Sequence, residues 1–278
     1  MRHLRTVSVA AALGLITVAG AAAAGPRAAT APVRPGPAIL YAATAVAPQL
    51  QSAGIWQAAP TLVSGTQAYR DGEWLYQDFL NDDHGAAGSK GENDPYGPSG
   101  HLYSPAGGTF VYPTDKVYAN NAADLVELRA KPVRGGTAFR VTLNTLVDPQ
   151  RSAFTLALGD GPKASWPNGA GVSSPSKVFA TWHGTTTQVT DAATGKSLGG
   201  AETTVDTKRR QITVVVPAAV INPGRGTLRV GVGVGLWDPK AGGYLKPSLG
   251  DATATIPGGG TPQGVAIVNA GPRLNEPM

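Results

Sequence analysis

Acidic side chains are concentrated between Asp71 and Asp94. This stretch holds seven carboxylates and one cation, Lys90, so its local charge is 1 − 7 = −6 in a chain whose net charge is +5. Carboxylates at this density repel one another unless water or a cation separates them. Calcium accepts six to eight hard oxygen ligands in a loose geometry. The stretch therefore predicts a calcium site, for which the candidate ligands are Asp78, Asp82, Asp83 and Asp94.

A second interpretation of the same stretch needs no metal. Asp and Asn favour turns because their side chains bond to their own backbone, and an acidic loop of low hydrophobicity remains solvated. Under this alternative, Asn81, Asp82 and Asp83 only shape a turn. The residues alone leave both interpretations open.

Aromatic side chains in loops are the second group that could bind a ligand, because sugar rings stack on exposed aromatic rings through their apolar faces. Four aromatic residues lie in segments rich in Gly and Pro, where a core has no evident need of them. These candidates for a glycan platform are Tyr96, Tyr103, Trp166 and Tyr244. In contrast, Trp74, Trp182 and Trp237 adjoin predicted strands, and we expect them in the core.

Two patterns could indicate catalysis. Gly195–Gly199 matches the G-x-S-x-G motif of hydrolases, with Ser197 as the nucleophile. That motif requires a strand before it and a helix after it, whereas here a hairpin turn is predicted. The second pattern is the run Asp82-Asp83-His84. His84 beside Asp83 could act as a general base, although a solvated loop residue is the simpler interpretation. Asp82 and Asp83 are neighbours on an extended chain and point apart, which does not suit paired-carboxylate hydrolysis of glycosides. We therefore expect no catalytic residue, and keep a secreted hydrolase as the alternative.

The elements that must position these residues are short strands. Asp124–Lys131 alternates apolar and polar residues, Gly135 and Gly136 turn the chain, and Phe139–Leu143 returns, which predicts an antiparallel hairpin. Strand-like segments and turn residues then recur without a long amphipathic helix, so the fold class is all-β, an antiparallel β-sandwich. The further predicted strands are Trp74–Phe79, Ala153–Leu158, Val178–Trp182, Thr186–Thr190, Thr203–Asp206, Ile212–Val216, Leu228–Leu236 and Val265–Val268.

The ends of the chain differ from its middle. Residues 1–24 have the charged start, apolar run and small-residue end of a signal peptide, which predicts a secreted protein with no membrane span in the mature chain. Residues 25–60 are rich in Ala and Pro and predict a flexible leader. The sandwich is expected at 61–268, followed by a tail at 269–278 that suggests a truncated larger protein.

Composition excludes some classes of function. The chain has no cysteine, so an exported fold cannot rely on disulfides, and a bound metal would supplement its core. The net charge of +5 is small, and the basic residues form no stripe, which argues against a nucleic-acid partner. We expect a monomer.

The segment from Asp78 to Leu128 resembles the C-terminal module of glucodextranase, a family grouped with DOMON-like and SLH-like domains and similar in architecture to calcium-dependent carbohydrate-binding modules. An acidic pair is followed by a Gly-rich run into an aromatic strand, although residues 86–106 form a long insertion between them. The resemblance implies a non-catalytic β-sandwich that binds polysaccharide or cell-wall glycan. The matching residues are Asp82, Asp83, Gly85, Gly107, Tyr112, Pro113, Thr114, Ala123, Asp124 and Leu125.

The function expected from the sequence is thus a secreted, non-catalytic module that binds carbohydrate or the cell envelope, stabilised by calcium. Two alternatives remain open at this stage: a secreted hydrolase or a truncated module of one, and an envelope protein that scaffolds a partner.

Overall fold

The computed structural model describes residues 54–85, 108–118, 121–224, 226–262 and 264–272. The predictions for the signal peptide and for Asp94, Tyr96 and Tyr103 lie outside these residues. The described chain is almost entirely strand and loop, with one 3-10 turn at Lys116–Tyr118. The strands are β1 (Thr66–Arg70), β2 (Glu73–Gln77), β3 (Leu125–Val133), β4 (Gly136–Leu143), β5 (Ser152–Leu158), β6 (Lys163–Ser165), β7 (Ser173–Pro175), β8 (Val178–His183), β9 (Thr186–Asp191), β10 (Ser197–Asp206), β11 (Gln211–Pro217), β12 (Val230–Asp238), β13 (Gly243–Tyr244) and β14 (Ile267–Gly271).

Twelve of the strands form one continuous antiparallel sheet in the order β1-β2-β3-β4-β11-β10-β9-β8-β5-β12-β13, and β14 also pairs with β12. The short strands β6 and β7 form a separate two-stranded sheet. Strand β10 joins two halves of the larger sheet. Its first part, Ser197–Ala201, pairs with β9, whereas its second part, Glu202–Asp206, pairs with β11. The first half-sheet consists of β1, β2, β3, β4, β11 and the second part of β10. The second half-sheet consists of the first part of β10 with β9, β8, β5, β12, β13 and β14.

The main core lies between the two half-sheets. Leu128, Phe139 and Val141 of the first half-sheet belong to the same buried cluster as Phe154 and Trp182 of the second. Phe154 stacks on Trp182 with ring centroids 5.1 Å apart. This packing confirms the all-β, antiparallel class and is consistent with the predicted sandwich, because alternate residues of both half-sheets face one interior.

Most of the predicted strands are present, since their period of two is a strong local signal. In β3, the faces of the side chains differ from the prediction. A β-bulge between Leu125 and Glu127 breaks the alternation. Leu125 therefore joins the main core and does not share a face with Glu127. Bulges of this kind are not visible in the apolar pattern. The short strands β1, β6, β7 and β13 were not predicted.

The described residues just before the predicted domain start at residue 61 pack on the sheet. Residues from Trp56 onward already pack on the outer face of the first half-sheet, where Trp56 and Ala58 are buried. Below them lies a buried charge network in which Arg129 contacts Glu73 at 3.0 Å and Glu127 at 2.7 Å. Backbone groups of this segment find partners on the sheet: the N–H of Gln57 donates to Oε1 of Glu73 at 2.5 Å, and the carbonyl of Ala58 accepts from Nη1 of Arg129 at 2.7 Å.

The folded chain also extends beyond residue 268, where the sequence predicted the end of the domain. Strand β14 continues to Gly271 and pairs with β12, with Val232 opposite Gly271. Asn269 and Ala270 are buried in this strand.

Among the described residues, no helix has the length and apolar character that crossing a bilayer requires.

Candidate functional site

A buried acidic cluster lies at one end of the sandwich. Asp78 directly follows β2, Asp82 and Asp83 come next in the same loop, and Asp124 directly precedes β3. These four side chains are all buried, and we call them the aspartate cluster. Antiparallel pairing of β2 with β3 brings the end of one strand next to the start of the other, which is why residues more than forty positions apart meet.

Asp124 is the most extensively hydrogen-bonded member. Its Oδ2 accepts bonds from the backbone N–H of Asn81 at 2.9 Å and from Nδ2 of Asn144 at 2.7 Å. Asn81 adopts a positive φ of 61°, a conformation that Asn tolerates better than most residues. The chain thus bends at Asn81, and this bend aims the backbone N–H of Asn81 at Asp124.

Asn269 connects the loop to β14. Its Nδ2 donates to Oδ1 of Asp82 at 2.7 Å and to Oδ1 of Asp124 at 3.3 Å. Its own carbonyl oxygen, Oδ1, is buried and has no hydrogen-bond partner among the described residues. A buried acceptor without a donor is uncommon and carries a desolvation cost.

Two tyrosines complete the cluster. Tyr112 donates its hydroxyl proton to Oδ2 of Asp83, and the same hydroxyl accepts the backbone N–H of Ala123 at 3.1 Å. Tyr76 donates to Oδ1 of Asp78 at 2.9 Å, whereas Oδ2 of Asp78 has no partner within the described chain.

Burial dominates the electrostatics of the cluster. Desolvation, opposed in part by the Tyr76 hydrogen bond, raises the pKa of Asp78 to about 8. Desolvation and then the charges of Asp78 and Asp83 raise the pKa of Asp82 to about 8. Desolvation also raises the pKa of Asp83 and, together with the charge of Asp83, the pKa of Asp124. A buried carboxyl resists ionisation unless a positive charge is close.

The compensation in the described chain is partial: the charge of His84 acts to lower the pKa of Asp83, but desolvation outweighs it. All described ion pairs involve Arg or Lys residues that contact other acids. In the arrangement described, no three His, Cys, Asp or Glu side chains converge closely enough to hold a metal ion. The donor atoms are nevertheless the oxygens that calcium prefers, and two of them, on Asp78 and Asn269, are unsatisfied.

Of the four predicted metal ligands, the structure thus brings together Asp78, Asp82 and Asp83. The residues that the metal prediction missed are Asp124 and Asn269. Asp124 was among the residues that carry the family resemblance, but Asn269 lies in β14, and only the fold brings it to the loop.

Two of the four predicted glycan-binding aromatics are not exposed, so the expectation of an open platform is wrong for them. Trp166 is 4 % exposed and Tyr244 is 5 % exposed. Both lie in a second buried cluster on the outer face of the second half-sheet. The glycines of β12 provide the space: a Cβ on Gly233 would come within 2.7 Å of Trp166, and one on Gly235 within 2.9 Å of Tyr244.

Polar contacts also fix these two aromatics in the interior. Nε1 of Trp166 donates to Oγ of Ser174 at 2.8 Å, and the Tyr244 hydroxyl lies 2.8 Å from Oγ1 of Thr155. Trp74, Trp182 and Trp237 are buried, as expected from their position beside strands.

The residues of the hydrolase alternative do not assemble into a catalytic group. Ser197 opens β10, is exposed, and accepts the backbone N–H of Gly199 at 3.3 Å. A strand therefore follows the serine where a nucleophile elbow requires a helix. Asp83 is buried and bonded to Tyr112, which leaves it without an open face toward a substrate.

Comparison with known proteins adds no family. The chain matches no protein-family model, and no curated protein is detectably similar to it in sequence.

Proposed function

We propose that this chain is a secreted, non-catalytic β-sandwich module that binds carbohydrate or cell-envelope glycan and is stabilised by calcium. The observation that carries the proposal is the aspartate cluster, four buried carboxyls that form no ion pair with an Arg or Lys of the described chain. Three of the four belong to the motif through which the sequence resembles the glucodextranase module.

Calcium fits the chemistry of this cluster. Asp78, Asp82, Asp83 and Asp124 supply hard oxygens, and Asn269 contributes a further one if its amide turns so that Oδ1 replaces Nδ2. Small rotations of these side chains are required, because the described arrangement keeps them hydrogen-bonded to amides and hydroxyls. When bound, calcium supplies the positive charge that offsets the repulsion between the carboxylates.

The direct test is metal binding at the cluster. Terbium, a luminescent substitute for calcium, is excited through nearby tyrosines, and Tyr76 and Tyr112 both contact cluster carboxylates. We expect tyrosine-sensitised terbium emission that calcium displaces, and its loss in Asp83→Asn. The control is Asp251→Asn, which removes an exposed carboxylate elsewhere. Emission that is absent, or unchanged in Asp83→Asn, would contradict the calcium part of the proposal.

The glycan part needs a separate measurement. We expect the mature protein to sediment with insoluble glucans or with cell-wall preparations and to release no sugar from them. Sugar release that Ser197→Ala abolishes would establish the hydrolase alternative instead. Retention by a protein component after the glycans are digested would favour the envelope scaffold.

A further inference from the structure

A cleft lies on the outer face of the first half-sheet, far along the sheet from the aspartate cluster. It encloses about 510 Å³, within the usual range for ligand pockets. One wall is the segment Gly54–Trp56, another is the turn between β3 and β4, and the floor is the outward face of β10 and β11. We call it the Trp56 cleft.

The Trp56 wall is held firmly in place. Nε1 of Trp56 donates to Oγ1 of Thr213 at 3.3 Å, and the Arg140 guanidinium lies 5.4 Å from the centre of the Trp56 ring. Nζ of Lys131 donates to the Ile55 carbonyl at 2.7 Å. Each of these contacts joins a loop residue to a strand, so the cleft is preformed and little ordering is needed when a ligand binds.

The lining combines an apolar surface with polar groups that have spare bonding capacity. Ile55, which is 46 % exposed, lies with Val133 and Val215 on the apolar part. Arg134, Glu202 and Thr204 are exposed polar residues of the lining. Among the described residues, neither Arg134 nor Glu202 forms an ion pair.

The charges of the lining select against charged ligands. Glu202 and Asp206 repel an anion, and Arg134 repels a cation. Asp206 is moreover occupied by Arg209, at 2.9 Å. A guanidinium offers only donors and a carboxylate only acceptors, so a ligand that satisfies both needs groups able to donate and accept. The hydroxyls of a neutral sugar do this, and its apolar ring face suits the Ile55 and Val215 surface.

From these observations we infer that the Trp56 cleft binds a neutral glycan segment. The inference rests on the proposed function, for which it supplies the binding surface that Trp166 and Tyr244 do not provide. The glycan hydroxyls bond to Arg134, Glu202 and Thr204, and the sugar ring lies against Ile55.

Affinity electrophoresis tests this inference. The mature protein is run in native gels that contain dextran, pullulan, soluble starch or mannan, and the change in mobility gives a dissociation constant. We expect at least one neutral polysaccharide to retard the wild type. Because each substitution replaces a hydrogen bond to a charged group by one to a neutral amide, Glu202→Gln and Arg134→Gln should each weaken binding several-fold, up to about tenfold.

Matched variants separate the cleft from the rest of the surface. Asp251→Asn and Lys240→Gln remove exposed charges outside the cleft and should bind like the wild type. All variants should share the wild-type melting temperature, since the substituted side chains are exposed. Ile55→Ser should weaken binding without changing the charge of the protein.

The outcomes distinguish this inference from the proposed function. Retardation that is identical in the wild type and in a double Arg134→Gln, Glu202→Gln variant would overturn the inference, because the glycan would then bind elsewhere. Binding to acidic polysaccharides alone would overturn it as well. If no glycan or cell-wall preparation binds the wild type, the proposed function fails together with the inference.

Discussion

Asp78 provides the sharpest test of the electrostatics, because its carboxyl is buried and its pKa is raised to about 8, chiefly by desolvation. In the unfolded chain this group has its ordinary pKa of 3.8. Between these two values the folded protein holds a proton that the unfolded chain releases. The stability that this group contributes is therefore fully present below its unfolded pKa and is lost as the pH rises toward 8.

The size of the effect follows from the proton count. For each proton that the folded protein retains and the unfolded chain releases, raising the pH from about 5 to about 7 lowers the free energy of unfolding by roughly 3 kcal/mol. A small domain is stable by only about 5 to 15 kcal/mol, so this loss is large. Asp78→Asn replaces the protonated acid by a neutral group of the same shape, and Asn can still accept the Tyr76 hydroxyl. We expect the unfolding free energy of this variant to fall less with rising pH than that of the wild type, by the contribution of one proton. In chelator at neutral pH, the variant should be more stable than the wild type.

The assay is urea unfolding followed by tryptophan fluorescence, in excess chelator, at several values between about pH 5 and about pH 7. The exposed Asp251→Asn variant serves as the control and should keep the wild-type dependence. In excess calcium at neutral pH, the wild type should instead be more stable than Asp78→Asn, because this substitution removes a carboxylate ligand. A wild-type stability in chelator that rises with pH, or an Asp78→Asn slope equal to that of the wild type, would refute the reasoning.

Three further predictions concern buried contacts. Arg129→Met leaves Glu73 with Lys131 alone and Glu127 with Arg140 alone, and should lower the unfolding free energy by roughly 3 kcal/mol in urea titrations. Gly233→Ala should lower the melting temperature, because a Cβ there overlaps a buried indole, whereas Gly250→Ala, with open space around it, should not. An unfolding free energy equal to that of the wild type would contradict the prediction for Arg129→Met. A melting temperature equal to that of the wild type would contradict the prediction for Gly233→Ala. Tyr244→Phe removes a buried hydroxyl that bonds to Thr155 and should cost about 1 kcal/mol, measured by thermal melts; a stabilised variant would show that the hydroxyl is poorly satisfied.

Local patterns in the sequence were sufficient to predict the class of fold. Alternating apolar residues predicted β3, β4, β5, β8, β9, β11 and β12 because the strand period of two is written into neighbouring residues. The sequence also places Asp78, Asp82 and Asp83 in one acidic loop. Both conclusions depend on interactions between residues that are close along the chain.

Two features depend on the tertiary structure: which residues join that loop in the aspartate cluster, and which aromatic side chains are exposed to a ligand. Asp124 and Asn269 reach the aspartate cluster through strand pairing, and no local pattern specifies which strands pair. Trp166 and Tyr244 occur among loop residues, yet the glycine face of β12 leaves room for their rings, so they are buried. Trp56 occurs in an Ala- and Pro-rich segment, yet the Arg140 guanidinium and Thr213 hold it on the sheet. Burial depends on what a distant part of the chain places opposite a residue, and the residue's own neighbours do not encode it.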